Sequence, residues 1–373
     1  MAKVIWKNIS ILRGVAICLV ILAHSLQKSG YYFYSDLEKF SPLEYPIQFG
    51  VLVILRSLIP FCLPAFLFAS GFIFYRVYQG WRSATTAFII IIRKYLIWSI
   101  PLFLLLSLKN WEFNLFDIIL GIVMGGPMDT YWFLVLIAII YLIAPIWVNL
   151  VNLRPLLTIF LVMALQVGSW ILFYSGYSVI FHSLIESLFI RPLIFLPSFV
   201  VGLLLSSNIK AFMPFLNNRR LLVGLTLITA LLCISESIVI GFIYLWDTSG
   251  INRWFDIGRI SIFFFFIFFS LLIITTETKW NIMAKWFYDV GLASLGILFL
   301  VDIFLNILDF FIWHAPAWIY PSKLTLYNHG IPIWLRNTSF WLLPIFFCFG
   351  LFGPLSLMKC AKKIFGNRVR FLW

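Results

Sequence analysis

The sequence predicts an all-α fold: a polytopic membrane protein, a bundle of about ten transmembrane helices forming one domain over residues 1–373. Two observations carry that expectation. The chain is 63% hydrophobic and only 11% charged, a balance that would leave a soluble domain nearly all core. Its apolar residues also gather into repeated runs of about 20, the length that crosses a hydrocarbon layer of about 30 Å. A third observation orients the bundle. With the N-terminus inside, eighteen of the 27 Lys and Arg fall on the inner side, where the acids are only Glu277 and Asp289. Both termini are then cytoplasmic, which requires an even number of spans. That topology accounts for the net charge of +13, so no nucleic-acid partner is inferred. Aromatic residues make up 19% of the chain, with 16 Trp, and suit interfacial belts and sugar-stacking surfaces.

In chain order the expected spans lie at about 8–27, 50–75, 86–108, 131–149, 155–174, 189–206, 220–245, 257–275, 289–313 and 336–357. The first begins with Lys3, Lys7 and Arg13, as a signal peptide would. No small-residue cleavage site follows, so it reads as an uncleaved span. Asp36 to Tyr45 reads as a polar connection, and Trp111 to Met124 as a shorter interfacial or re-entrant segment. Pro60, Pro64, Pro101, Pro145, Pro197 and Pro344 fall within or at the ends of spans. There the bundle must re-satisfy the carbonyls that proline frees. Cys18, Cys62, Cys233, Cys348 and Cys360 lack paired spacing, so neither a disulfide framework nor a metal site is expected, and they read as packing residues. No internal repeat is visible, although a transporter built from inverted repeats often shows one.

The first span, Trp6 to Gln27, carries two ionisable residues, Arg13 and His24. The eleven-residue step between them turns about 1100°, three full turns plus about 20°. Both side chains therefore leave one helix face, separated by a rise of about 16 Å. A cation deep in a bilayer costs on the order of 2.5–3.5 kcal/mol on insertion scales, so a chain that keeps one there hides it inside the bundle. Gly14 lets another backbone approach beside Arg13. The plain alternative is that Arg13 snorkels to the inner headgroups and His24 sits at the opposite interface.

The run ISILRGVAICLVILAH resembles the start of the acyltransferase-3 family of bacterial membrane proteins, which open with an Arg, ten residues and a His after a stretch ending in L-R-G. Later segments are similar to that family too. The second span ends PAFLFASGFIFYRVYQGWR, where Ser70-Gly71-Phe72 is a small-residue packing site followed by Arg76. The third carries Arg93-Lys94-Tyr95 and reaches Pro101. Tyr131-Trp132-Phe133 opens the fourth; an aromatic belt explains that position as well as a sugar platform does. In the sixth, Arg191, Phe199 and Gly202 match the family's order of a basic residue, an aromatic and a glycine. In DVGLASLGILFLVDIFLNIL, Asp302 stands where the family usually places a second His, which weakens any mechanism needing two histidines.

The resemblance implies a membrane O-acyltransferase of the bacterial inner membrane, moving an acyl group from acyl-CoA to a hydroxyl of a cell-envelope glycan or lipid-linked sugar. Acetyl-CoA is the expected donor, with no metal, and envelope-polysaccharide biosynthesis proteins and membrane lipids are the expected company. Arg13 and His24 would be catalytic, with His24 as general base or transient acyl carrier. Arg76, Arg93 and Lys94, with Arg82, would form a cationic cluster at the cytoplasmic mouth that holds the donor's phosphates. Tyr131, Trp132 and Arg191 would meet the acceptor. Glu236, Asp302 and Arg259 lie within or at the edge of apolar runs, and the sequence leaves their pairing open among Arg259, Arg191 and His24. His314 and His329 read as loop residues. A transporter or flippase for a glycan or lipid is the competing reading, since intramembrane charges serve it equally well.

Overall fold

A computed structural model describes residues 2–28, 46–110, 115–124, 131–174, 190–244, 259–276, 281–313 and 333–366. The expected connection Asp36 to Tyr45, and the loop holding His314 and His329, lie outside the described residues. Every regular element among those described is a helix. They are α1 (Ala2–Lys28), α2 (Pro46–Leu58), α3 (Cys62–Val77), α4 (Trp81–Asn110), α5 (Leu115–Met124), α6 (Trp132–Leu153) and α7 (Pro155–Tyr174). After them come α8 (Arg191–Ser207), α9 (Ile209–Leu216), α10 (Arg219–Tyr244), α11 (Ile260–Thr275), α12 (Ile282–Leu292), α13 (Ser294–Trp313) and α14 (Ile333–Phe365). A 3-10 turn, Ile59–Phe61, joins α2 to α3.

Among the described residues, seven helices are long and apolar enough to cross a membrane, or nine when two sharply bent pairs each count as one span. The sequence reading of about ten exceeds both figures. Against nine the difference is α11, helical over only 16 residues. At 1.5 Å per residue it is about 24 Å long, short of a full hydrocarbon layer. The bent pairs are α8–α9, at 94°, and α12–α13, at 80°. The expected third span also begins earlier, because α4 starts at Trp81. The expected interfacial or re-entrant stretch contains α5, which folds back on α4. There Gly121 meets the Phe103 ring, and the Tyr95 hydroxyl donates to the Ile122 carbonyl.

The bundle is built around α1, which packs against α3, α11, α12, α13 and α14. Two glycine crossings set its tightest contacts. A Cβ on Gly14 would lie 2.0 Å from the Phe287 carbonyl oxygen, and one on Gly291 would lie 1.8 Å from that of Ser10. The backbones of α1 and α12 therefore touch, as small-residue membrane interfaces allow. The same device joins α3 to α8, where Gly71 faces the Phe199 carbonyl and Gly202 faces that of Phe68. The Asn8 amide, at the N-terminal end of α1, donates to the carbonyls of Ile274 and Thr276 at 3.1 and 2.8 Å. It satisfies the C-terminal carbonyls of α11 and pins the two helices antiparallel.

Candidate active site

Arg13 and His24 mark two polar levels on α1. The level near Arg13 is called the near level here, and that of His24 the far level. On the arc of α1 between them lie Ile17 and Val20, 0% and 4% exposed. Arg13 and His24 are each part-exposed, so two accessible polar positions flank a packed apolar layer.

At the far level His24 Nδ1 lies 3.4 Å from Asp302 Oδ1 on α13. The His24 side chain is 18% exposed and that of Asp302 5%. A buried carboxylate is costly unless it is paired, and His24 supplies a partner. The pairing leaves Nε2 as the imidazole nitrogen not committed to the carboxylate. Asp302 is held in place by a buried aromatic strut. One turn before it, the Phe299 carbonyl accepts the Tyr131 hydroxyl at 2.9 Å. The Tyr131 ring packs edge-on to Tyr95 and Phe299, and Trp98 stacks on Phe299.

At the near level an Arg13 guanidinium nitrogen donates to Ser294 Oγ at 2.8 Å. Ser294 is buried and opens α13, immediately after the 80° break. The contact thus depends on the α1–α12 glycine crossing, which brings that break against α1. Tyr141 on α6 stands within electrostatic range of Arg13, and its hydroxyl lies near Ser70 on α3. The Tyr141 ring stacks on Phe74 at 5.3 Å and meets Phe199 edge-on at 5.9 Å. Four helices therefore place one guanidinium and three hydroxyls in a single polar layer.

The basic residues expected at the mouth come from different places on α3 and α4. Arg76, at the end of α3, is exposed, with its Nε bonded to Ser206 at 3.0 Å and its guanidinium 5.9 Å from the Phe72 ring centroid. Arg93 and Lys94 lie twelve and thirteen residues into α4, about 18–20 Å along its axis. The next residue, Tyr95, touches Tyr131 at the far level. Arg93 is exposed and Lys94 half-buried, and the pair lies midway along α4. The helix is continuous from Trp81, and that continuity sets the pair's place along it.

Among the expected acceptor residues, Tyr131 is fully buried and offers no ring face to a sugar. It is a strut instead, because its hydroxyl and both ring neighbours are engaged. Trp132 and Arg191 are part-exposed and meet, with the guanidinium 5.2 Å from the indole centroid. Phe195 packs beside that indole at 5.7 Å. Glu236 accepts the Tyr174 and Ser261 hydroxyls and, at 3.2 Å, the Ser261 amide. Arg259 is buried; it donates to the Ser57 carbonyl at 2.8 Å, to the Cys233 carbonyl at 3.3 Å and to the Ser237 hydroxyl. These contacts tie α2, α7, α10 and α11 together around Glu236 and Arg259.

Sequence reasoning missed Ser294 and Tyr141 and left the partner of Asp302 open among Arg259, Arg191 and His24. A lone carboxylate in an apolar run was the available signal for Asp302, but which helix faces α1 there is a tertiary fact.

A helical membrane bundle that holds a histidine–carboxylate pair and a part-exposed arginine on its central helix offers a polar site suited to transfer chemistry away from bulk water. The chain belongs to the acyltransferase-3 family, whose acyltransferase domain matches residues 6–361, nearly its whole length. It is thus a multi-pass membrane acyltransferase by family. No curated protein and no solved structure matches it.

Proposed function

We propose that the protein moves an acyl group, acetyl first among candidates, from acyl-CoA to a hydroxyl of an envelope glycan or lipid-linked sugar. The near end of the bundle faces the cytoplasm in this reading and receives the donor. The far end meets the acceptor, with part-exposed Trp132 and Arg191 as its contact surface. The observation that carries the reading is the His24–Asp302 pair on the far half of α1, which lies within the stretch the family match covers.

Asp302 accepts the Nδ1 proton and fixes the imidazole tautomer, so the Nε2 lone pair faces the acceptor. Nε2 takes the proton of the sugar hydroxyl as its oxygen attacks the thioester carbonyl carbon. The C–O bond forms, the C–S bond breaks, and the leaving thiolate recovers the proton from Nε2 as free CoA. Asp302 stabilises the transient imidazolium without itself taking the proton. One histidine suffices for both proton transfers, so the missing second histidine of the family pattern is no obstacle. The apolar surroundings exclude water and protect the thioester from hydrolysis.

The experiment is incubation of membranes carrying the protein or His24→Ala with radiolabelled acetyl-CoA, followed by extraction of polysaccharide and lipid-linked sugars. Label should enter one of these fractions with the parent protein and fall at least about 10²-fold with the variant. Equal labelling by a well-inserted His24→Ala protein would remove His24 from the mechanism. Loss of glycan export with acylation intact would favour a transporter.

A further inference from the structure

We infer that the polar layer of Arg13, Ser70, Tyr141 and Ser294 binds the neutral pantoyl end of the donor's pantetheine arm, below the point of acyl transfer. This rests on the acyl-CoA reading and assigns a subsite to residues that reading leaves without a role.

Three observations point there. First, the layer is composite. Arg13 comes from α1, Ser70 from α3, Tyr141 from α6 and Ser294 from α13, beside the apolar residues Ile17, Phe74 and Phe199 of the core. Polar side chains brought together from four helices inside a membrane bundle mark a pathway or ligand station. Second, Arg13, Ser70 and Tyr141 are part-exposed, while their supports, Ser294, Phe74 and Phe199, are buried. The accessible groups are the ones able to bind. Third, the depth fits. Arg13 and His24 differ by a rise of about 16 Å, comparable with an extended arm from its pantoyl end to its sulfur. An Arg side chain on α1 also leans toward the helix N-terminus, away from His24.

The chemistry selects the arm over the phosphates. An amide and a hydroxyl each present one donor and at least one acceptor. Tyr141 and Ser70 hydroxyls can complement both, and Arg13 supplies donors to a carbonyl. The nucleotide's several negative charges would face a single guanidinium here, deep in the bundle, and one cation does not offset their desolvation. Arg76 lies six residues beyond Ser70 on α3, about 9 Å closer to the near end, and is exposed there. It is the better phosphate partner, because its fork matches a phosphate and bulk water carries part of the solvation.

The test needs no acceptor. Radiolabelled CoA bound to purified protein in detergent is displaced by CoA, by pantetheine and by N-acetylcysteamine, which lacks the pantoyl end. Tyr141→Phe and Ser70→Ala should each weaken CoA and pantetheine about fivefold, the worth of a typical neutral hydrogen bond, and leave N-acetylcysteamine unchanged. Arg76→Ala should weaken CoA and spare pantetheine. All variants are first matched to the parent in elution and thermal midpoint, and two independent hydroxyl deletions guard against one misfolding. If Tyr141→Phe and Ser70→Ala weaken CoA but not pantetheine, the layer holds phosphate and the assignment is overturned. Equal weakening of all three ligands, or of none, makes the layer structural and also overturns it. Failure of the parent protein to bind CoA would instead remove the acyl-CoA reading itself.

Discussion

At the scale of single residues, the weight of the mechanism falls on the His24–Asp302 pair. Asp302→Asn keeps the shape but turns an amide toward Nδ1. That favours the tautomer with its proton on Nε2, which no longer accepts one from the acceptor. Acyl transfer should fall by at least about 10²-fold while donor binding persists. Asp302→His, which restores the family's usual residue, offers a ring nitrogen that can accept the Nδ1 proton. It should retain more activity than Asp302→Asn. Transfer rates and CoA affinity measured on the same preparations decide this, and an Asp302→Asn protein as active as Asp302→His would sink the orienting role.

At the scale of elements, the α1–α12 crossing is what delivers Ser294 to Arg13. Gly291→Ala should destabilise the bundle by about 1–3 kcal/mol, because the new Cβ meets the Ser10 backbone rather than a side chain that can move. Gly224, within α10, has nothing within 4 Å of its would-be Cβ. Gly224→Ala should be neutral or stabilising by up to about 1 kcal/mol. Thermal midpoints of the two variants in detergent give the comparison, and equal midpoints would mean that the crossing does not hold in solution. The apolar layer on α1 makes a second element-scale prediction. Val20→Trp should obstruct passage between the two polar levels, lowering acyl transfer more than tenfold with CoA binding retained. An unimpeded Val20→Trp enzyme would place the donor's route elsewhere.

At the scale of the whole molecule, orientation follows from where the cations cluster. Reporter fusions after Gly80, Asn217 and Met358 should report cytoplasm, since Arg76 and Arg82, Lys210, Arg219 and Arg220, and Lys359, Lys362 and Lys363 flank those points. Fusions after Lys39 and Trp318 should report the outer side. A cytoplasmic signal after Lys39 would invert the bundle and exchange the donor and acceptor ends proposed here.

The sequence by itself determined the class, the family and the first helix. Composition and run length report burial in lipid directly, and the step from Arg13 to His24 fixes a shared face because helical geometry is local. Gly14 and Gly71 were legible as close-approach points for the same reason: a missing side chain in an apolar run has few other uses. What faces that helix was decided only in three dimensions. Asp302 and Ser294 reach α1 through a glycine crossing and an 80° break, Tyr141 through the docking of α6, and none of these leaves a periodic trace in the chain. Tertiary packing likewise made Tyr131 a buried strut rather than an open ring face. A sequence states which groups must be hidden from lipid; which partners hide them depends on contacts between residues hundreds of positions apart.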